Sequence, residues 1–149
     1  FICMRNIYKR LDQSIQKQLD NLDAIHHFAH SRSKIDSSMV SQIELDKFPP
    51  VIHPMVKINP VNNKKAVYFG SHTKSIKNLD GDESSKLLKY LNDFINNEDY
   101  IYSHKWDDFD LIIWDNRSML HRGQPYDITE PRYLVRATVS DTMSMGTYL

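Results

Sequence analysis

The sequence predicts an α+β chain, mainly β, whose strands form a sandwich or jelly roll with helices outside it. Three observations lead there. Two stretches carry apolar residues at helical spacing. Several short runs rich in β-formers are spaced irregularly between and after them. No alternating strand–helix pattern of a parallel sheet is present.

The first helical stretch places Met4, Ile7, Leu11, Ile15, Leu19 and Leu22 on one face, with Lys9, Gln13, Gln16 and Asp20 opposite. Residues 26–50 have no clear period. They hold His26, His27, His30, several serines and the Pro49-Pro50 pair, so a long excursion or loop is expected. Residues 51–58 read as extended, Asn62-Asn63 as a turn, and Ala66, Val67, Tyr68 and Phe69 as a second strand; the two runs suit a hairpin. Asp82 is the expected N-cap of a second helix. Leu87, Leu88, Leu91, Phe94 and Ile95 form its stripe, and it should stop near Asn96-Asn97. Residues 100–106 alternate and read as a strand. Leu111, Ile112, Ile113 and Trp114 form an apolar run bounded by aspartates, which predicts a buried strand, and 134–139 reads as a final one. Trp106 and Trp114 are expected to anchor the core. No internal repeat or low-complexity segment appears.

The 149 residues are enough for one domain with a core. Lysines and arginines balance aspartates and glutamates at 19 each, which argues against non-specific nucleic-acid binding. No apolar run approaches membrane-spanning length, so no membrane partner is expected. The single cysteine, Cys3, excludes an internal disulfide and a thiolate zinc site, and it fits a reducing cytoplasm. The chain begins with Phe1 inside a helix-entry segment, so a missing N-terminal portion is expected.

The chemistry concentrates between Trp106 and Thr138. A strand delivers the polar turn Asp115-Asn116-Arg117, His121 follows, and then Arg132 and Arg136. On a strand, two arginines four residues apart share a face. Two guanidiniums facing one pocket call for anions, and arginine is the preferred bidentate partner of a carboxylate. Taken singly, these residues have ordinary explanations: a hydrogen-bonded strand-end histidine and a solvated arginine face.

Together they resemble a known signature. The run Trp114-Asp115-Asn116-Arg117-x-x-x-His121, followed by Arg132 and Arg136, is similar to the C-terminal signature of the taurine/2,4-D dioxygenase family. Upstream, His53-Pro54 with Val56, Asn59-Pro60 and Ala66-Val67-Tyr68 resemble a further family segment, with Asn59 where a histidine is usual. Ser71-His72 with Ile76, and His121-Arg122, lean toward the 2,4-D branch. Phe1 to Leu11 resembles the helix after the family's Gly-Gly-Asp-Thr segment. The likeness covers essentially the whole chain.

The resemblance implies an incomplete double-stranded β-helix with flanking helices, the C-terminal portion of one dioxygenase domain. It implies Fe(II) as metal, 2-oxoglutarate as co-substrate, and O2 and a small anionic organic substrate as reactants. By this resemblance His121 is the distal histidine of a two-histidine, one-carboxylate triad. Arg132 binds the distal carboxylate of 2-oxoglutarate, Arg136 binds an anionic group of the substrate, and His72 lies near the site. The family's other two metal ligands form a His-x-Asp or His-x-Glu motif. None of the seven histidines here has an acidic residue two positions later, so that motif is absent from the chain. The family threonine that helps hold 2-oxoglutarate falls before Phe1. The chain by itself is therefore expected to be inactive. Two other readings remain open: a non-catalytic jelly-roll module binding a small anion through Arg132 and Arg136, and a structural or interaction protein. His26, His27 and His30 are expected on a loop surface or in core hydrogen bonds, not on a metal. Substrate identity stays open, and a homo-oligomer is compatible with the sequence without being specified by it.

Overall fold

The computed structural model describes residues 1–34, 36, 40–139 and the backbone of 147–148. The stripe from Met4 to Leu22 forms two helices rather than one, α1 (Met4–Arg10) and α2 (Gln13–Leu19). The break lies at Leu11 and Asp12, both extended in ψ, and Gln16 Nε2 donates to the Leu11 carbonyl at 2.8 Å. Met4, Ile7, Leu11 and Leu19 all reach the same core, so one sequence stripe survives a bend in the backbone.

The excursion expected over 26–50 is more ordered than its sequence suggests. Strand β2 (Asp23–His26) precedes two short helices, α3 (Phe28–Ser33) and α4 (Gln42–Lys47). Residues 37–39 lie outside the described residues. The α4 start is a capping box: Ser41 Oγ accepts from Glu44 N, and the Glu44 carboxylate accepts from Ser41 N. The expected hairpin forms, but from only the second half of the run 51–58. Strands β4 (Val56–Ile58) and β5 (Lys65–Val67) pair antiparallel, with Val56 opposite Val67. Asn63 takes φ 55° in the turn, a conformation that asparagine tolerates. Strands β3 (Val51–Pro54) and β6 (Thr73–Ile76) flank β2 in the order β6-β2-β3-β8, where β8 is Thr147–Tyr148.

Helix α5 (Gly81–Ile95) buries Leu87, Leu91 and Ile95 and ends at Asn96. Its N-cap is Asp80, not Asp82. Asp80 Oδ1 accepts from Glu83 N at 2.7 Å, which leaves Asp82 and Glu83 in the first turn, where the helix dipole favours them. Buried Ser84 accepts from Ile76 N at 2.8 Å and ties α5 to β6.

The strands expected after residue 100 are the main departure. Among the described residues, 100–106 contributes only a bridge between Ile2 and Ile101, and the runs 111–114 and 134–139 make no ladder. Leu111, Ile113 and Val139 are 82%, 86% and 95% exposed. Trp106 is 46% exposed and Trp114 half-buried, so neither anchors the core. A β-pattern needs a neighbouring strand to pair with and a second layer to cover it; no described residue supplies either here. What forms instead is strand β7 (Met119–Leu120), paired with β1 (Ile2–Cys3). The result is an α+β arrangement of antiparallel sheets and flanking helices.

Candidate metal and anion site

The turn before His121 is built around Asp115. Its carbonyl accepts from the backbone N–H groups of Ser118 and Met119, both at 3.0 Å. Its carboxylate accepts from Arg117 N and Nε, both at 2.9 Å, and from Nη2 at 3.1 Å. The Arg117 hydrogen bonds hold the Asp115 carboxyl below its usual range. Ser118 O accepts from Met4 N at 2.9 Å, so the turn is fastened to the start of α1. Strand β7 then runs against β1, with Leu120 opposite Ile2, and delivers His121 beside the chain start.

The His121 ring packs against Trp114 (centroids 5.0 Å, planes 55° apart) and Phe1 (6.1 Å, 29°). Its pKa is lowered, first by burial and then by Arg136. Lowering from an ordinary 6.5 keeps the imidazole neutral at pH 7, the form in which a ring nitrogen offers a lone pair to a metal. Arg136 is thus brought within electrostatic reach of His121. Arg132 instead lays its guanidinium over Tyr126, 4.6 Å from the ring centroid. Both arginines are exposed, on backbone that makes no strand.

Among the described residues no three histidine, cysteine, aspartate or glutamate side chains are grouped to hold a metal. His121 suits one corner of an iron site, as a neutral nitrogen donor next to a cation; the remaining donors have no counterpart here. His72 Nδ1 lies 2.7 Å from Ser31 Oγ, and its ring is stacked near Phe28. His26 is not on a loop: it lies in β2, half-buried. His27 lies between β2 and α3 and His30 on α3, where burial lowers the His30 pKa.

Sequence reasoning missed how His26, His53, Lys57 and Tyr68 are drawn together. His26 is centred 5.3 Å from His53 and 5.4 Å from Tyr68, and Lys57 Nζ lies 3.9 Å from the Tyr68 centroid. The strand register that joins β2 to β3 leaves no local mark in the sequence. The Ser41-x-x-Glu44 box was readable and could have placed α4.

Residues 1–138 match the family described as Taurine catabolism dioxygenase TauD, TfdA family. The chain belongs to that family. It is 34% identical over 141 residues to the alpha-ketoglutarate-dependent 2,4-dichlorophenoxyacetate dioxygenase of Cupriavidus pinatubonensis, covering 95% of this chain and 49% of that protein. It is 32% identical to the (S)-phenoxypropionate/alpha-ketoglutarate-dioxygenase of Sphingobium herbicidovorans, covering 100% of this chain and 54% of the relative. Among solved structures, AAD-2 in complex with Mn(II) and N-oxalylglycine superposes with a TM-score of 0.81 at 32% identity, over 87% of this chain and 51% of that one. This TauD/TfdA chain spans about half the length of the curated relatives it matches. Its likeness to a taurine dioxygenase structure from Burkholderia xenovorans is lower, at 20% identity.

Proposed function

We propose that this chain is the C-terminal portion of an Fe(II)- and 2-oxoglutarate-dependent dioxygenase that hydroxylates a small anionic organic substrate and releases succinate and CO2. Its domain is a double-stranded β-helix completed by an N-terminal portion. The observation that carries the reading is the neutral His121 imidazole within electrostatic reach of Arg136, inside a family match that runs to residue 138. When bound, Fe(II) with 2-oxoglutarate supplies the oxidising power, drawn from O2 and the decarboxylation of the keto acid. His121 provides one of three protein ligands. Arg132, after exchanging its Tyr126 contact for an anion, binds the distal carboxylate of 2-oxoglutarate. Arg136 holds the anionic group of the substrate and thereby aims the carbon to be hydroxylated. The names of the relatives favour an aryloxyalkanoic acid, whose carboxylate suits a guanidinium fork.

The other two ligands, a His-x-Asp or His-x-Glu pair, belong to the N-terminal portion, so the 149 residues alone are inactive. Two measurements test this. Incubated with Fe(II), 2-oxoglutarate and ascorbate, the isolated chain should release succinate no faster than metal alone; turnover well above that blank refutes the ligand count. In the full-length protein, Arg136→Ala should weaken substrate use by about a hundredfold while sparing uncoupled 2-oxoglutarate turnover. Loss of 2-oxoglutarate binding instead would mean that the two arginines exchange roles. Full-length protein that binds a carboxylate through Arg132 and Arg136 but never consumes 2-oxoglutarate would establish the non-catalytic module.

A further inference from the structure

Trp114 has no place in the core, yet its indole is held firmly against His121. Three rings meet there. His121 is centred 5.0 Å from Trp114 and 6.1 Å from Phe1, and Phe1 meets Trp114 edge-on at 5.5 Å. Both neighbours of the imidazole are themselves tied down. The Trp114 indole Nε1 donates to Asn116 Oδ1 at 2.7 Å. The Phe1 carbonyl accepts from Tyr102 N at 2.8 Å. Asn116 belongs to the turn that the Asp115–Arg117 ion pair closes, so the acceptor that holds the indole stands on a braced piece of backbone.

An imidazole needs such a wall if it is to bind anything at a fixed place. The torsion that turns its plane is broad by nature. Both ring nitrogens direct their lone pair or proton in that plane, so each turn of the ring swings them away from a fixed partner. In most metal sites a hydrogen bond to the second nitrogen prevents this. Among the described residues neither nitrogen of His121 has a hydrogen-bond partner, and the ring contacts are those with Trp114 and Phe1. Of the two, Trp114 is nearer, and its own orientation is fixed by a side-chain hydrogen bond. We propose that Trp114 is the positioning residue of His121 and that Asn116 acts through it: the indole, held by the Asn116 amide, sets the imidazole plane and with it the direction in which the ring nitrogens face. This rests on the reading of His121 as a metal ligand, and it adds to that reading the group that aims the ligand. A site tolerates errors of only about 0.5 Å in its ligands, so loosening the wall costs metal affinity before it costs folding.

The test uses full-length protein with histidine rings labelled for NMR. In the metal-free state the His121 ring should show a single fixed orientation in the wild type and in Trp114→Phe, which keeps a flat face. Trp114→Leu and Asn116→Ala should add exchange broadening at that ring. Titrated with Mn(II) in the presence of 2-oxoglutarate, Trp114→Leu should raise the metal Kd about tenfold and Asn116→Ala severalfold, with Trp114→Phe close to wild type. Asn116 is exposed, so Asn116→Ala decides the matter if Trp114→Leu does not fold. An unbroadened His121 ring with unchanged Kd in Asn116→Ala, or a loss in Trp114→Leu that Trp114→Phe shares in full, would overturn the assignment. Wild-type protein that binds no Mn(II) would overturn the reading of His121 as a ligand; the metal-free spectra would still decide whether Trp114 fixes the ring.

Discussion

His26 is a neutral imidazole in a place hostile to its charge. Its folded pKa of about 4 lies below an unfolded value near 6.5, so the unfolded chain binds the extra proton first. Its contribution to stability is complete above the unfolded value. It is lost as pH falls from about 6.5 toward 4. Urea unfolding of the full-length protein should therefore show stability dropping over that window, and His26→Gln should flatten the drop; an unchanged slope would mean that the ring is not desolvated. His30, His53 and His72 shift the same way, so part of the slope survives the substitution. Residue chemistry also separates the two arginines. Arg136 acts on His121, whereas Arg132 is engaged with an aromatic face until an anion competes for it.

At the scale of elements, α5 and its junction with β6 are the best-determined part of the fold. Leu91 is fully buried, and Leu91→Ala should cost about 3 kcal/mol, as for other cavity-forming leucine truncations. Asp80→Ala, which removes the acceptor for Glu83 N, should cost about 1 kcal/mol. Asp82→Ala should cost less, because Asp82 lies past the cap. Denaturant midpoints of the three variants check the order; a larger loss for Asp82 would put the cap where the sequence first suggested it. The stripe of α5 was legible because its spacing is helical throughout. The break between α1 and α2 was not, because the apolar spacing runs on across it.

The whole molecule is unevenly finished. Its core of Met4, Ile7, Leu19, Met55, Ile76 and Leu91 is closed, while Phe109, Leu111, Ile113, Val135 and Val139 lie open to solvent. Apolar side chains left this exposed call for cover. The isolated 149-residue chain should bind a hydrophobic dye such as ANS and aggregate at micromolar concentration, and the full-length protein should bind far less dye. A monomeric isolated chain without dye binding would mean that this segment folds onto itself. No helix among the described residues is long and apolar enough to cross a membrane.

The sequence by itself determined what depends on neighbours along the chain: the stripe of α5, its stop at Asn96, the hairpin turn at Asn63, and the family signature from Trp114 to Arg136. Those features rest on local spacing and residue type, which a single chain displays in full. Only the tertiary structure decided which β-like runs become strands. The runs 111–114 and 134–139 carry the apolar residues of strands, yet among the described residues they form no ladder, since a strand is completed by hydrogen bonds to a partner often far away in sequence. The same long-range pairing, Ala24 with His53, gathered the ring cluster that no spacing of residues announced.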